Sequence, residues 1–268
     1  MPTSSARPDR TPSPATAPRD GGSAEGIAVR DVSKVFANGT VALEPTSLSV
    51  GAGEFVSVVG PSGCGKSTLL RTIAGLTPAT SGECQTPQGA SRAFVFQDAT
   101  LLPWRTVRRN AELLLELEGF SKEERRERAA AALELVGLTG FDKSYPLGLS
   151  GGMKMRLSLA RALALRPKLF LMDEPFSALD EITREALNDE LLRIWASEGF
   201  TAMFVTHNVY EAVYLSNRVL VMSPRPGRIV GDIEIPLGNE RTPELRSSPQ
   251  FTQLTHEVSA ALREGMAR

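Results

Sequence analysis

The sequence predicts an α/β fold: a mostly parallel sheet with helices packed on it, and a phosphate-binding loop at one edge. Short apolar segments alternate with helical segments, as in EFVSVVG at 54–60 and KSTLLRTIAGL at 66–76. This alternation is typical of parallel sheets covered by helices. Between strand and helix lies GPSGCGKST, residues 60–68, which matches the pattern G-x-x-x-x-G-K-[ST].

The strands of this fold are predicted from residue 27 onward. Residues 1–26 are rich in Pro, Ser, Thr and Ala, which favours a disordered extension. The segment 27–36, IAVRDVSKVF, alternates apolar and polar positions as a half-buried strand does, and 40–50 continues in β style. These two predict an N-terminal antiparallel β subdomain. Buried strands of the main sheet are predicted at 54–60, 91–97, 168–175, 201–208 and 218–223.

A helical insert is predicted between the second and third strands of the main sheet, at about 98–164, where Leu, Glu, Arg and Ala dominate. Within it, residues 121–138 predict a strong helix with Ser121 as N-cap. Another helix is predicted at 180–199. The chain turns polar after Pro236, and residues 238–268 are predicted to form a C-terminal tail with an amphipathic helix.

Composition narrows the classes of function. The formal net charge is −1 and no long basic run occurs, which argues against a nucleic-acid partner. No apolar run approaches the ~20 residues of a membrane-spanning helix, and the N-terminus lacks the apolar core of a secretory signal. Cys64 and Cys84 are the two cysteines. Because Cys64 lies inside the glycine loop, a disulfide is not expected, and a reducing compartment fits best.

The glycine loop predicts nucleotide binding. Its glycines let the backbone N–H groups face a β-phosphate, Lys66 would reach the β- and γ-phosphates, and the Ser67 hydroxyl would bind Mg²⁺. The alternative is a chance glycine-rich turn, which average composition produces in roughly one chain of this size in a hundred. The strand before the loop and the helix after it favour the phosphate site. The loop residues are Gly60, Pro61, Ser62, Gly63, Cys64, Gly65, Lys66, Ser67 and Thr68.

Acidic residues follow the apolar segment KLFLMDEP. Asp173 comes at the carboxyl end of this predicted strand, where open α/β sheets bind their ligands, and would hold Mg²⁺ directly or through water. Glu174 comes next and is suited to act as a general base on water. The alternative is an acidic pair that caps a strand end. The preceding phosphate loop favours the functional interpretation.

Two further polar residues end predicted strands: Gln97 after AFVF and His207 after AMFVT. A lone histidine is more often a hydrogen-bonded structural residue than a catalytic one. His207 is one of two histidines, however, and its strand is expected beside the strand that ends in Asp173. Its position therefore favours a functional role.

A second phosphate-binding helix start is predicted in LSGGMKMRLSLARAL, residues 149–163, because free backbone N–H groups at a helix N-terminus attract anions. Helical spacing predicts that one face of this helix is buried and that a second set of residues lies on the opposite face. The buried face comprises Met153, Leu157, Ala160 and Ala164, and the opposite face comprises Lys154, Ser158 and Arg161.

Over residues 27–237 these motifs together resemble the ATP-binding subunits of ABC transporters. GPSGCGKST resembles their Walker A and LFLMDE their Walker B. The other matches are AFVFQD with the Q-loop, LSGGM with the signature, SALD (177–180) with the D-loop and VTHN with the H-switch. The resemblance implies a P-loop NTPase core of ABC type, with a RecA-like sheet, and ATP and Mg²⁺ as ligands.

The resemblance also implies roles for single residues. Members work as head-to-tail pairs, so Ser150, Gly151 and Gly152 would grip the γ-phosphate of an ATP bound by Lys66 of a second copy. Glu174 matches the catalytic base, and His207 matches the switch histidine that contacts the γ-phosphate. Gln97 matches the glutamine that would bind Mg²⁺ and sense the membrane partner. Phe36 would stack on adenine; the alternative is that it is simply core. Asp180 would help form the interface between copies.

Finer features resemble bacterial importers of nitrate, aliphatic sulfonates, taurine and related compounds, namely QDATLLPWRTVRRN at 97–110 and MSPRPGRIVGDIEIPL at 222–237. That resemblance implies separate permease subunits, an extracytoplasmic substrate-binding protein as an indirect partner, and a peripheral location on the cytoplasmic face of the inner membrane. Leu102 and Trp104 are either a docking site for the permease or local core. Met155 stands where the signature helix commonly has Gln.

Two alternatives remain at this point. One is a soluble ABC ATPase acting on DNA or ribosomes, although such proteins usually carry two of these domains or long coiled-coil insertions. The other is an exporter subunit, against which only the resemblance of the two finer segments argues.

Overall fold

A computed structural model describes residues 26–87, 89, 91–239 and 241–267, so the disordered extension predicted for residues 1–26 lies outside the described part except for Gly26. The strands are β1 (Ile27–Val35), β2 (Val41–Val50), β3 (Phe55–Val59), β4 (Ser81–Gln85), β5 (Arg92–Val95), β6 (Leu169–Asp173), β7 (Thr201–Val205), β8 (Arg218–Met222) and β9 (Ile229–Glu234). The α-helices are α1 (Lys66–Ile73), α2 (Val107–Ala111), α3 (Leu113–Leu117), α4 (Lys122–Leu135), α5 (Gly151–Leu163), α6 (Glu181–Glu198), α7 (Val209–Leu215) and α8 (Pro249–Met266).

Within the described residues, these strands form two sheets. The smaller is antiparallel in the order β2-β1-β4, which confirms an N-terminal antiparallel β unit. The larger has the order β5-β6-β7-β3-β8-β9 and is parallel except for β9, which runs antiparallel to β8. The mostly parallel α/β fold is thus confirmed, while β4 and β9 were not predicted from the sequence.

The central strands of the larger sheet are buried along their whole length. Every residue of β3, β6 and β7 is buried, as expected for parallel strands covered on both faces. Each predicted strand that ended in polar residues is shorter in the structure: β5 ends at Val95 and β7 at Val205. Gln97 and His207 therefore lie beyond the strands, at the carboxyl edge of the sheet, while the Thr206 N–H still donates to the Val58 carbonyl of β3.

The predicted insert contains α2, α3, α4 and a short 3₁₀ helix at Pro146–Gly148, and ends with α5. Ser121 caps α4 as predicted: its side chain accepts from the N–H of Glu124, whose carboxylate accepts from the N–H of Ser121. Helix α5 packs against the insert on one side and against the larger sheet on the other, within a single apolar core. It therefore joins the insert to the sheet.

Two of the three residues predicted to lie opposite the buried face of α5 are themselves buried, so the prediction is wrong for these two. Ser158 and Arg161 are buried, as is Met155, because α5 is covered on both sides, whereas Lys154 is half-buried. The Arg161 guanidinium donates to the carbonyls of Ala99 and Thr100 and to two hydroxyls, so its burial leaves it well hydrogen-bonded. Of the predicted apolar face, Leu157, Ala160 and Ala164 are buried and Met153 is half-buried.

The amphipathic C-terminal helix predicted at 248–268 is present as α8, which begins after the N-cap Ser248. Its apolar face buries Phe251, Leu254 and Val258 against the core of the larger sheet. Arg241, also buried, donates to the carbonyls of Val213, Tyr214 and Ser216 at the end of α7. The segment after β9 is thus tied to the helix that follows β7.

Candidate functional site

The phosphate loop connects β3 to α1, as the sequence predicted. Gly65 has φ +115, and a Cβ there would lie 2.7 Å from the Ala42 carbonyl oxygen, so glycine is required both for the backbone angle and for the close approach of β2. Cys64 is buried behind the loop, and burial raises the pKa of its thiol. As expected, neither described cysteine forms a disulfide.

Lys66 is the first residue of α1 and its ammonium group is buried in the loop. Its Nζ donates to the carbonyls of Gly60 at 2.8 Å and Pro61 at 3.1 Å. The Oε1 atom of Glu174 lies 3.8 Å away, too far for a hydrogen bond. The first turn of α1 contains no acidic residue. In the described part of the chain this buried cation at a helix N-terminus makes no hydrogen bond to a carboxylate, which fits a phosphate group as its ligand.

Ser67 and Asp173 meet at the base of this loop. The Ser67 hydroxyl donates to Oδ1 of Asp173 at 2.7 Å, across 106 residues of sequence. Burial raises the pKa of Asp173, while the hydrogen bond from Ser67 and the charge of Arg71 act in the opposite direction. Among the described residues, no group of three or more His, Cys, Asp or Glu is placed to hold a metal. A hydroxyl and one carboxylate still suit Mg²⁺, which takes its other ligands from water and phosphates.

Glu174 and His207 are adjacent at the same edge. Oε2 of Glu174 lies 3.0 Å from Nδ1 of His207, and the Glu174 N–H donates to the Val205 carbonyl. The Glu174 backbone has φ +46, a left-handed conformation that is uncommon for any residue with a side chain. Ser177 holds the backbone carbonyl of Glu174 with its N–H and its hydroxyl. The carboxylate is thus fixed between Lys66 and the histidine.

Gln97 and Phe36 are both exposed. The parallel register pairs Val95 with Met172, so Gln97 follows β5 at the same level at which Glu174 follows β6. Phe36 lies in the turn between β1 and β2, where its N–H donates to the Thr40 carbonyl. Its ring is 42% exposed, so the alternative that Phe36 is simply core is wrong.

The signature residues stand apart from this cluster. Ser150 caps α5, with its hydroxyl accepting from the Met153 N–H, and Ser150 and Gly151 are exposed. A Cβ on Gly152 would lie 2.8 Å from Cγ2 of Thr183, so α5 starts against α6. Asp180, the exposed N-cap of α6, accepts from the Thr183 N–H, which lowers the pKa of its carboxyl. No hydrogen bond or ion pair in the described part of the chain joins Ser150 to the phosphate loop.

Two sets of residues near the site were not predicted. Arg225 donates from Nε to the Gly63 carbonyl at 3.1 Å, and Gly227 lies so close that a Cβ there would meet the Cys64 carbonyl at 2.1 Å. Their position just after β8, beside β3, could have indicated this contact. Glu211 accepts a hydrogen bond from Thr206, the residue before His207, and is buried. Its signal in the sequence is a charged residue within the apolar segment VYEAVYL.

An exposed apolar surface lies on the insert, and we call it the insert patch. Trp104 is 72% exposed and Leu147 is 91% exposed, so the interpretation of Trp104 as local core is wrong, whereas Leu102 is half-buried. The buried Asn110 side chain shapes this loop by bonding both the N–H and the carbonyl of Leu102. The insert patch comprises Leu102, Trp104, Phe141, Tyr145 and Leu147.

In the part of the chain that the structure describes, no helix is long and apolar enough to cross a bilayer.

A family model described as ABC transporter matches residues 43–177. The nitrate import ATP-binding protein NrtD of Synechocystis is 44% identical, over 88% of this chain and 95% of the relative. The taurine import ATP-binding protein TauB of Rhizobium johnstonii is 43% identical, over 82% of this chain and 88% of the relative.

Solved structures agree with these sequence relatives. One is the dimeric structure of an ATP-binding cassette in a post-hydrolysis state, bound to ADP and Pi. It is 33% identical, with a TM-score of 0.69 over 78% of this chain and 98% of that chain. A second, titled as the dimeric structure of a bacterial ABC transporter cassette, has a TM-score of 0.70 at the same identity. With the site geometry, these similarities establish that the chain belongs to the ABC transporter family, as one of its ATPase subunits.

Proposed function

We propose that the chain powers a bacterial importer for nitrate, an aliphatic sulfonate, taurine or a related small solute. The relatives named for nitrate and taurine import, at 42–44% identity, support this subfamily. The same names give no support to the alternative of a soluble ATPase acting on DNA or ribosomes. In this proposal residues 27–237 are the nucleotide-binding domain, with the helical insert at about 98–164, and 238–268 are its C-terminal tail.

The ligands of this domain are ATP and Mg²⁺. The phosphates would lie on the loop 60–68 and on Lys66, whose buried ammonium is the observation that best fits them. Ser67, Asp173 and Gln97 would hold Mg²⁺, which when bound neutralises charge on the phosphate oxygens. The exposed ring of Phe36 would stack on the adenine. Ser67 and Asp173 already touch, which supports a shared role at this point.

Hydrolysis needs a base for water, and Glu174 is that base in our proposal. Its carboxylate accepts the proton of the attacking water, while His207 holds the carboxylate in place and contacts the γ-phosphate. The 3.0 Å approach of His207 to Glu174, together with the strained backbone at Glu174, carries this assignment. Strained residues that the surrounding structure holds in place are characteristic of active sites.

Each ATP is shared by two copies of the chain arranged head to tail. The exposed start of α5, with Ser150, Gly151 and Gly152, supports this arrangement because it offers free N–H groups away from its own phosphate loop. The exposed Asp180 would lie at the contact between the copies. In this arrangement ATP binding closes the pair and hydrolysis releases it, which turns a chemical step into motion.

The insert patch would receive the permease subunits, and the chain would thereby sit on the cytoplasmic face of the inner membrane. The extracytoplasmic substrate-binding protein acts on it only through the permease. The large exposed fraction of Trp104 and Leu147 supports docking, since soluble surfaces seldom expose such side chains together without a partner.

The test is to purify the membrane complex through this subunit and to reconstitute it with its binding protein. Nitrate, taurine and an alkanesulfonate are then added singly, and ATP hydrolysis is measured. We expect one of these solutes to raise the rate at least about fivefold. No stimulation by any of them would contradict the importer subfamily. The Trp104→Ala/Leu147→Ala variant should hydrolyse ATP alone but lose the complex, and Leu117→Ala, another exposed leucine of the insert, is the control.

A further inference from the structure

A buried polar network runs from the His207 loop to the start of α6. Thr206, directly before His207, donates its hydroxyl hydrogen to Oε2 of Glu211. The same hydroxyl accepts from the N–H of Asn208, directly after His207, at 3.0 Å. The Asn208 side chain in turn accepts from the N–H of Glu211. Both residues that flank the histidine are therefore bound to Glu211 on the first turn of α7, Thr206 through the carboxylate and Asn208 through the backbone N–H.

Glu211 is an unusual residue at this place. It is 5% exposed, and burial raises the pKa of its carboxyl while Thr206 and Arg184 counteract this. In the described part of the chain, its Oε1 has no hydrogen-bond partner. That atom faces Nε of Arg184 on α6 at 3.6 Å, and this Nε also lacks a hydrogen-bond partner. Opposite charges at this distance and depth interact strongly, because little water screens them.

The other end of Arg184 reaches the turn before α6. Its Nη2 donates to the Leu179 carbonyl at 2.7 Å, directly before the exposed Asp180. Leu179 also lies beside the start of α5, 3.9 Å from where a Cβ of Gly151 would be. One guanidinium therefore contacts the Glu211 carboxylate with one edge and the surface turn at 179–180 with the other.

We propose that Glu211 and Arg184 are positioning residues, which set the orientation of His207 and couple it to the 179–180 turn that faces the second copy. The inference rests on the proposed roles of His207 and of the pairing of copies. Movement of this turn when two copies meet would shift Arg184, then Glu211, and through Thr206 the histidine. Hydrolysis would in this way depend on the partner's arrival.

The link to His207 is tested in the full-length chain with two variants of Thr206. Thr206→Val removes the hydroxyl and keeps the shape, and Thr206→Ser keeps the hydroxyl. We expect Thr206→Val to lower kcat about tenfold, as the loss of a hydrogen bond to a charged group does, with KM for ATP within about twofold. Thr206→Ser should retain the wild-type kcat. Equal kcat for Thr206→Val and wild type would overturn the proposal.

A cycle with His207 separates positioning from general damage. If Thr206 acts through His207, then Thr206→Val should have no further effect on kcat in the His207→Ala background. A His207→Ala enzyme with slow turnover that Thr206→Val slows by another tenfold or so would overturn the network and leave the role of His207 intact. A His207→Ala enzyme with wild-type turnover would overturn the proposed catalytic role, and the network with it.

The link to the second copy is read in the Glu174→Gln background, in which hydrolysis is not needed. ATP-dependent pairing is measured by size-exclusion chromatography at increasing ATP. We expect Arg184→Gln to raise the ATP concentration needed for half-maximal pairing about tenfold. Adding Glu211→Gln to the Arg184→Gln protein should not raise this concentration further. Arg193→Gln, an exposed arginine on the same helix, is the control. Unchanged pairing by the Arg184→Gln protein, or additive effects of the two changes, would overturn the coupling.

Discussion

Nδ1 of His207 lies 3.0 Å from Oε2 of Glu174, although the two residues are 33 positions apart in the chain. They meet because β6 and β7 are parallel neighbours, with Asp173 paired to Val205, so the residues after both strands emerge at one edge. Lys66 reaches the other oxygen of the carboxylate from the phosphate loop. The adjacent positions of β6, β7 and β3 in the sheet therefore bring Glu174, His207 and Lys66 together.

Replacement of Glu174 by glutamine should slow hydrolysis while sparing ATP binding. The amide keeps the size of the side chain but cannot accept the proton of water, so kcat should fall about 100-fold or more. Phosphate release at saturating ATP measures the rate, and a fluorescent ATP analogue measures binding. Glu198→Gln, exposed at the far end of α6, should leave both unchanged. Wild-type turnover by the Glu174→Gln protein would show that Glu174 is not the base.

Replacement of Lys66 by alanine should weaken ATP binding. The change removes the buried ammonium that would neutralise the phosphates, and the Kd for ATP should rise at least about tenfold. Titration of the fluorescent analogue measures this, with Lys143→Ala as the control because Lys143 is exposed on the insert. Binding at the wild-type Kd would contradict the placement of the phosphates on this loop.

The exposed ring of Phe36 should contribute to nucleotide affinity by stacking. Loss of a stacked ring costs about 1–3 kcal/mol per base, so Phe36→Ala should raise the Kd for ATP roughly 5- to 150-fold. Phe36→Tyr keeps the ring and should bind as the wild type does. Phe141→Ala removes another exposed phenylalanine, on the insert, and should have no effect. Equal affinities of Phe36→Ala and Phe141→Ala would place the adenine elsewhere.

Arg161 should stabilise the fold because its buried guanidinium is hydrogen-bonded to the loop at 99–100. Its guanidinium bonds Ala99 and Thr100, and Thr100 holds a left-handed φ of +45. Arg161→Met removes the three hydrogen bonds to these two residues, each worth about 1 kcal/mol, so the free energy of unfolding should fall by about 3 kcal/mol. Urea denaturation followed by circular dichroism measures this. Arg166→Met, exposed after the same helix, should change it by less than about 0.5 kcal/mol; equal losses would contradict the proposed role of Arg161.

Much of the fold could be predicted because periodicity and strand-end chemistry are local properties. The apolar segments of β3, β6 and β7, the loop 60–68 and the capped helix α4 all follow from short stretches of sequence. β4 and β9 were missed because their residues are mostly exposed or half-buried and show no apolar run. Their pairing is decided by neighbouring strands that are distant in the chain.

Residues whose roles depend on packing could not be predicted in the same way. Ser158 and Arg161 looked like a solvated face of α5, since spacing alone does not show that the insert covers that side. Glu211 was not singled out by the sequence, and only the fold places its carboxylate beside Thr206. The sequence therefore predicted the groups proposed to touch ATP better than those proposed to position them.

In the proposed head-to-tail pair each ATP is held by two copies, with the signature of one on the phosphate of the other. The most direct measurement is size-exclusion chromatography of Glu174→Gln variants with ATP and Mg²⁺. Glu174→Gln and Glu174→Gln/Ser121→Arg, which alters another exposed N-cap serine, should elute as dimers. Glu174→Gln/Ser150→Arg should bind ATP with the same Kd yet remain monomeric. A dimer of that last protein at the same ATP concentration would contradict the claim.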